Sequence, residues 1–374
     1  MKISTALIAL AIAVLSTTVT TPEAKAEEPR RAVDLVICLD VSGSMEPLLD
    51  AVRARVWDIV AELAGMEPLP ELRVGVLTFG SDRAKAADGY VLIESDLSAD
   101  LDTVYARLMA LQTGGSEEHV GRVLDAALDK MSWASEWDAL RIIFVAGNES
   151  ADQGLEEVDF RDVAERAQRA DILINALYAG ERGLAIKEGW PEIARRGLGN
   201  FSAINPGAMT QVPTPQDDAL LELDQRLNAT YIPYGPRGHE GLANQVAQDS
   251  NASSLGIQSC SSRIVAKGGA LYNNASWDLV DAALADDFRW SLIHERDLPA
   301  AMRAMSPEQR VAYVDAKRTE REAVQRLIQD VSAEREEYLR GALAELDPQG
   351  LGNAMRASIR AQAQARGFVA RSDA

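Results

Sequence analysis

The stretch that decides the fold is Asp34-Leu35-Val36-Ile37-Cys38-Leu39-Asp40-Val41-Ser42-Gly43-Ser44-Met45. An apolar run ends abruptly in Asp-x-Ser-x-Ser. The run reads as a buried parallel strand, and the polar cluster falls just past its carboxyl end. In open α/β sheets that edge is where ligands bind. One carboxylate and two hydroxyls converging there make an all-oxygen set. Such a set suits a hard divalent cation, Mg²⁺ or else Mn²⁺ or Ca²⁺. The plainer role for the same residues is to cap the start of the next helix.

Outward from this stretch, strand and helix patterns alternate. Strands are expected at 33–39, 72–79, 139–146, 172–178 and 201–204, with a short antiparallel edge at 90–93. Helices are expected at 46–63, 100–111, 117–131, 160–170 and 186–198. The βαβ alternation implies an α/β fold, a doubly wound and mostly parallel sheet. From residue 209 the pattern changes to helices at 217–230, 242–270 and 277–284, then a long segment at 307–346. In that segment Val324, Ile328, Val331, Tyr338 and Ala342 recur at a spacing near 3.5, with Arg335 interrupting the seam. The spacing predicts a helical hairpin or short coiled coil, so 209–374 is expected to be an all-α C-terminal region.

Two further stretches bear on the candidate cation. Thr113-Gly114-Gly115-Ser116-Glu117-Glu118-His119-Val120-Gly121 precedes a helix, and Ile142-Ile143-Phe144-Val145-Ala146-Gly147-Asn148-Glu149-Ser150 ends a strand. Together with Asp40, Ser42 and Ser44, these resemble the metal-ion-dependent adhesion site of von Willebrand factor A (VWA) domains, ligand-binding modules of integrins and many secreted proteins. The resemblance implies a Rossmann-like VWA domain over 31–208. It also implies metal ligation by Asp40, Ser42, Ser44 and Ser116, with Thr113 as a register alternative to Ser116. The family places an Asp where this chain has Gly147, so Asn148 or Glu149 is expected to substitute, with Asp152 a weaker candidate. The resemblance extends, among exported bacterial A-domain proteins, through 231–235 and 276–281.

The chain has 374 residues and a formal net charge of −19. An acidic surface of this kind disfavours nucleic acid and anionic lipid. Lys2, the apolar residues 6–15 and Ala24-Lys25-Ala26 read as a signal peptide over 1–26, which implies an exported protein, periplasmic or secreted. Cys38 reads as a buried strand residue, and a disulfide to Cys260 is the lesser reading. His119, His239 and His294 are scattered, with His119 expected on a helix surface. No zinc-hydrolase motif and no Gly-x-Ser-x-Gly elbow occur. Catalytic constellations are thus scarce, and the resemblance to the A-domain family implies a non-catalytic, adhesion-type module that captures a protein partner's carboxylate through the cation. The alternatives are an envelope scaffold acting or self-associating through its helical tail with a degenerate metal site, and an enzyme using Glu117, Glu118 or Glu149 as base.

Overall fold

The computed structural model describes residues 30–85, 89–154, 157–205, 211–346 and 350–370. The expected signal peptide, 1–26, lies outside the described residues. In chain order the first elements are β1 (Ala32–Asp40), α1 (Glu46–Ala64), β2 (Met66–Glu67), β3 (Glu71–Phe79), β4 (Leu92–Ser98), α2 (Leu101–Met109), α3 (Val120–Lys130), β5 (Leu140–Gly147), α4 (Phe160–Arg169), β6 (Ile172–Ala179), α5 (Arg182–Lys187), α6 (Trp190–Arg196) and β7 (Leu198–Ile204). Helices follow: α7 (Asp217–Asn228), α8 (Gly238–Ser254), α9 (Ile257–Gly268), α10 (Leu279–Ala282), α11 (Ala300–Arg303), α12 (Pro307–Leu346) and α13 (Leu351–Ala365), with a terminal β8 (Val369–Ala370).

The main sheet runs β4-β3-β1-β5-β6-β7. Only β4 is antiparallel to its neighbour; the other pairings are parallel. Central β1 and β5 are buried along nearly their whole length, as a sheet covered on both faces requires. Side chains of β1 alternate between two cores. Val33, Leu35, Ile37 and Leu39 face a layer that includes α1, α2 and α13, whereas Val36 and Cys38 face α3, α4 and α6. The chain moves from β1 to β3 on one side and later returns to β5 on the other. The strand order therefore reverses at β1 and β5, and the crevice at their carboxyl ends opens beside Asp40.

Several local expectations shift. The edge strand lies at 92–98 rather than 90–93, with bulges in its pairing to β3. The helix expected at 186–198 divides into α5 and α6 at Gly189, and the one at 242–270 divides into α8 and α9 at Gly256. The helix at 277–284 contracts to α10, whose N-cap Asp278 accepts from the backbone N–H of Asp281. In each case the helical period continues through the sequence, but a backbone that leaves helical geometry stops it.

The C-terminal helices share the core of the sheet. Met355, Ile359 and Ala363 of α13 pack into the layer over α1, and Asn175 on β6 exchanges amide hydrogen bonds with Gln362 at 2.9 and 3.1 Å. β8 pairs antiparallel with β2. The seam of α12 meets helices of the same chain: Val324, Ile328 and Val331 pack on Leu220, Leu223, Leu227 and Ile264. Arg335 does not break that seam outward but is buried, donating to Asp217 Oδ1 at 3.1 Å.

A buried charge network joins the two parts. Arg263 on α9 is 1% exposed and donates to Asp102 on α2 at 2.8 Å and to Asp249 on α8 at 2.6 Å. Its guanidinium lies over the Trp57 ring, 4.6 Å from the centroid. Tyr272 donates to the other Asp102 oxygen at 2.5 Å. Buried Lys267 bonds Asp224 and Asp249, both at 2.7 Å. Truncating one member strands its partners' charge in the interior, so Arg263→Ala should cost about 3–5 kcal/mol. Urea denaturation should show that loss as a lower midpoint, and a change below about 1 kcal/mol would contradict the role given to this network.

Candidate functional site

The site grows from the last residue of β1. Asp40 is 1% exposed, and its Oδ1 accepts from the Ser42 backbone N–H at 2.8 Å. Met45 N–H then donates to Ser42 O at 3.1 Å, a tight turn that delivers the chain into α1. Ser42 is buried and Ser44 is exposed. The second loop is stitched to the first by backbone bonds, Gly114 N–H to Val41 O at 2.8 Å and Gly43 N–H to Gly115 O at 3.2 Å. Gly115 is required there. Its φ is +111°, and a Cβ would sit 2.2 Å from Gly80 O.

This stitching decides which second-loop side chain turns inward. Ser116 is exposed, and so is Glu117; Glu118 is 5% exposed. Thr113, the register alternative, donates to Glu46 Oε2 at 2.9 Å. Glu118 is thus the side chain that reaches Asp40 and Ser42, a residue the sequence reading weighed only as a catalytic base. Asp40 Oδ2, Ser42 Oγ and Glu118 Oε2 lie close to one another, yet none has a partner in hydrogen-bond geometry. Burial first, and then the adjacent Asp40, push the Glu118 carboxyl up to about 9. Burial likewise raises Asp40, and the nearby Glu149 carboxylate adds to both shifts.

The third loop also departs from expectation. A Cβ on Gly147 would lie 3.1 Å from Asp40 Oδ2 and 3.2 Å from the Trp190 ring. A side chain at this position presses on the Asp40 carboxylate, and glycine leaves room for it. Asn148 donates to Ser44 Oγ at 3.3 Å, while its own Oδ1 is buried and unpartnered. Glu149 is exposed, and Asp152 is engaged by Arg161 at 2.7 Å, away from the carboxyl pair. His119 is buried at 8% exposure rather than on the surface, edge-on to Tyr90 with ring centroids 5.9 Å apart.

Four oxygens with spare acceptor capacity, from Asp40, Ser42, Glu118 and Asn148, fit a hard cation and not a soft one. Among the described residues no cluster of three His, Cys, Asp or Glu side chains forms. Any cation here relies on hydroxyl and amide oxygens beside the two carboxyls.

Residues 34–195 match the profile of the von Willebrand factor type A domain. This part of the chain is a VWA domain. VWA domains serve as adhesion and protein-interaction modules, some of them metal-dependent. Similar solved structures include proximal thread matrix protein 1 from the mussel byssus, with a zinc-occupied MIDAS motif. It is 14% identical, with a TM-score of 0.35, covering 46% of this chain and 42% of that one. A von Willebrand factor type A protein from Catenulispora acidiphila is 18% identical, with a TM-score of 0.35 and coverage of 48% and 40%. The pilus adhesin SpaC from Lactobacillus rhamnosus GG is 14% identical, with a TM-score of 0.36 and coverage of 48% and 28%. This chain spans about two fifths of the length of the byssus protein. No curated protein matches it. No helix among the described residues is long and apolar enough to cross a membrane.

The raised Glu118 carboxyl carries a stability consequence. Below the unfolded carboxyl range both states hold the proton, and the pairing costs nothing. As pH rises from about 4.5 toward about 9, the unfolded chain releases that proton while the folded VWA domain retains it, so stability falls across that window. Without divalent ions, Glu118→Gln should therefore raise Tm at pH 8, by about 2–4 °C for each kcal/mol recovered. With Mg²⁺ at about 100 times Kd the native protein gains about 2.7 kcal/mol and the order should reverse. Differential scanning calorimetry with EDTA and with Mg²⁺ checks both halves, and an unchanged order in Mg²⁺ would exclude Glu118 from the cation site.

Proposed function

We propose that this chain is an exported, non-catalytic binding protein whose VWA domain captures a partner's carboxylate through a divalent cation, Mg²⁺ or else Mn²⁺ or Ca²⁺. The observation that carries the reading is the trio of buried, unpartnered oxygens on Asp40, Ser42 and Glu118. Asp40, Ser42, Ser44 and Glu118 hold the ion. Ser116, on the exposed rim of the second loop, and Asn148 complete its surroundings through water, as suits a metal that keeps part of its hydration shell. The ion supplies a positive centre able to accept one more oxygen ligand.

The residues do the rest. Buried Asp40 is locked by the Ser42 N–H and cannot swing away. The two hydroxyls are neutral donors, and Gly147 adds no third carboxylate, so the ion is not over-neutralised. Ser44 and the rim of the second loop are exposed, which leaves the outer face of the site open to a protein side chain. A carboxylate suits such a face, because a hard cation prefers a charged oxygen ligand and its positive centre offsets the repulsion of the acidic surface.

Capture from the native envelope, with and without EDTA, tests this reading. The mature protein should retain a partner only with divalent ion present. Asp40→Ala should lose that retention by 100-fold or more, on the order of 3 kcal/mol, while its circular dichroism is unchanged. Ser116→Ala should lose far less. Retention by Asp40→Ala that is insensitive to chelator would contradict the proposal.

A further inference from the structure

Trp190 opens α6 against the third loop, and its side chain is fully buried. A buried indole needs a partner for its N–H. This one finds it in the loop, where Nε1 donates to the carbonyl of Glu149 at 2.7 Å. The ring lies 3.2 Å from where a Cβ on Gly147 would stand, and Asp40 Oδ2 is 3.1 Å from the same point. The indole and the Asp40 carboxylate therefore both border Gly147. Tyr178 of β6 meets the ring edge-on, with centroids 5.6 Å apart. The approach to α6 is fixed as well. Gly189 takes a φ of +82° just before the tryptophan, and Glu188 O accepts from the backbone N–H of Ala151 at 2.8 Å.

These contacts bracket one residue. Gly147 is the last residue of β5 and is in register with Tyr178. Glu149 is an exposed residue, yet its carbonyl is held by the buried indole. Asn148 lies between these two anchors and cannot turn away without breaking one of them. Its Nδ2 donates to Ser44 Oγ at 3.3 Å, and its Oδ1 is buried with no hydrogen-bond partner. Any aromatic ring would serve the packing against Tyr178. Packing does not account for a donor aimed at the carbonyl one residue beyond Asn148.

We propose that Trp190 is a positioning residue for the cation site. Its N–H fixes the Glu149 carbonyl, and through it the Asn148 amide oxygen that completes the ion's surroundings. The inference rests on the divalent-ion reading of Asp40, Ser42, Ser44 and Glu118 given above. It adds a residue that touches neither the ion nor the partner. Trp190 acts as the groups behind metal ligands do, by limiting where a ligand can point.

Mn²⁺ binding by the whole protein, followed by electron paramagnetic resonance of the free ion, tests this. Trp190→Phe keeps a ring against Tyr178 and removes the donor. It should bind Mn²⁺ about tenfold more weakly than the wild type. Asn148→Ala should show a similar loss. The double variant should lose no more than either alone, because both changes remove the same contact. A purely structural tryptophan predicts instead no loss, or losses that multiply. Wild-type Mn²⁺ affinity in Trp190→Phe therefore overturns the proposal, and so does a double variant whose loss is the product of the two. If Trp190→Phe does not fold by circular dichroism, position 148 decides. Unchanged affinity in Asn148→Ala overturns the proposal, and a loss that Asn148→Asp restores, by keeping an oxygen in that place, supports it. A wild type that takes up no Mn²⁺ overturns the cation reading and this inference together, an outcome distinct from the others.

Discussion

Two carboxyl groups held together out of water, Asp40 at the end of β1 and Glu118 at the entry to α3, are the constraint around which this edge of the sheet is arranged. Burial raises both carboxyls above their ordinary range. The backbone bond from Ser42 to Asp40 and the stitching of Gly114 and Gly115 onto the first loop hold them in place regardless. Such a placement costs stability and is characteristic of a site organised for a ligand. A divalent cation is the simplest species that offsets the cost of holding these two carboxyls side by side out of water.

The rest of the sheet exists to make that placement rigid. β1 and β5 are buried on both faces, and the reversal of strand order beside them leaves the crevice at Asp40. The helical C-terminal region contributes to the same rigidity. α13 packs against α1, the helix that begins two residues after Ser44, and Arg263 ties α9 to Asp102 on α2. The loops around Asp40 therefore rest on an element braced from behind by the far end of the chain.

Much of this was legible in the sequence. The alternation of strands and helices, and Asp40 with Ser42 on the edge of β1, follow from local pattern: an apolar run, a polar break and a helical period. The choice among Ser116, Glu117 and Glu118 did not follow. All three read as an N-cap with first-turn acids, and the loop that buries Glu118 is held by bonds to Val41, Gly43 and Gln153 that the local pattern does not show. His119 is buried for a similar reason, because the turn at Gly154 covers it. The breaks at Gly189 and Gly256 were hidden by helical patterns that run through them. Arg335 looked like a flaw in a seam because its partner, Asp217, lies more than a hundred residues away.

The most direct test of the account is a crystal of the protein soaked in Mn²⁺ and measured for anomalous scattering. The account predicts one strong peak within coordination distance of Asp40, Ser42 and Glu118. Manganese found only on the exposed carboxylates, with the Asp40 and Glu118 side chains unchanged and no peak between them, would contradict it.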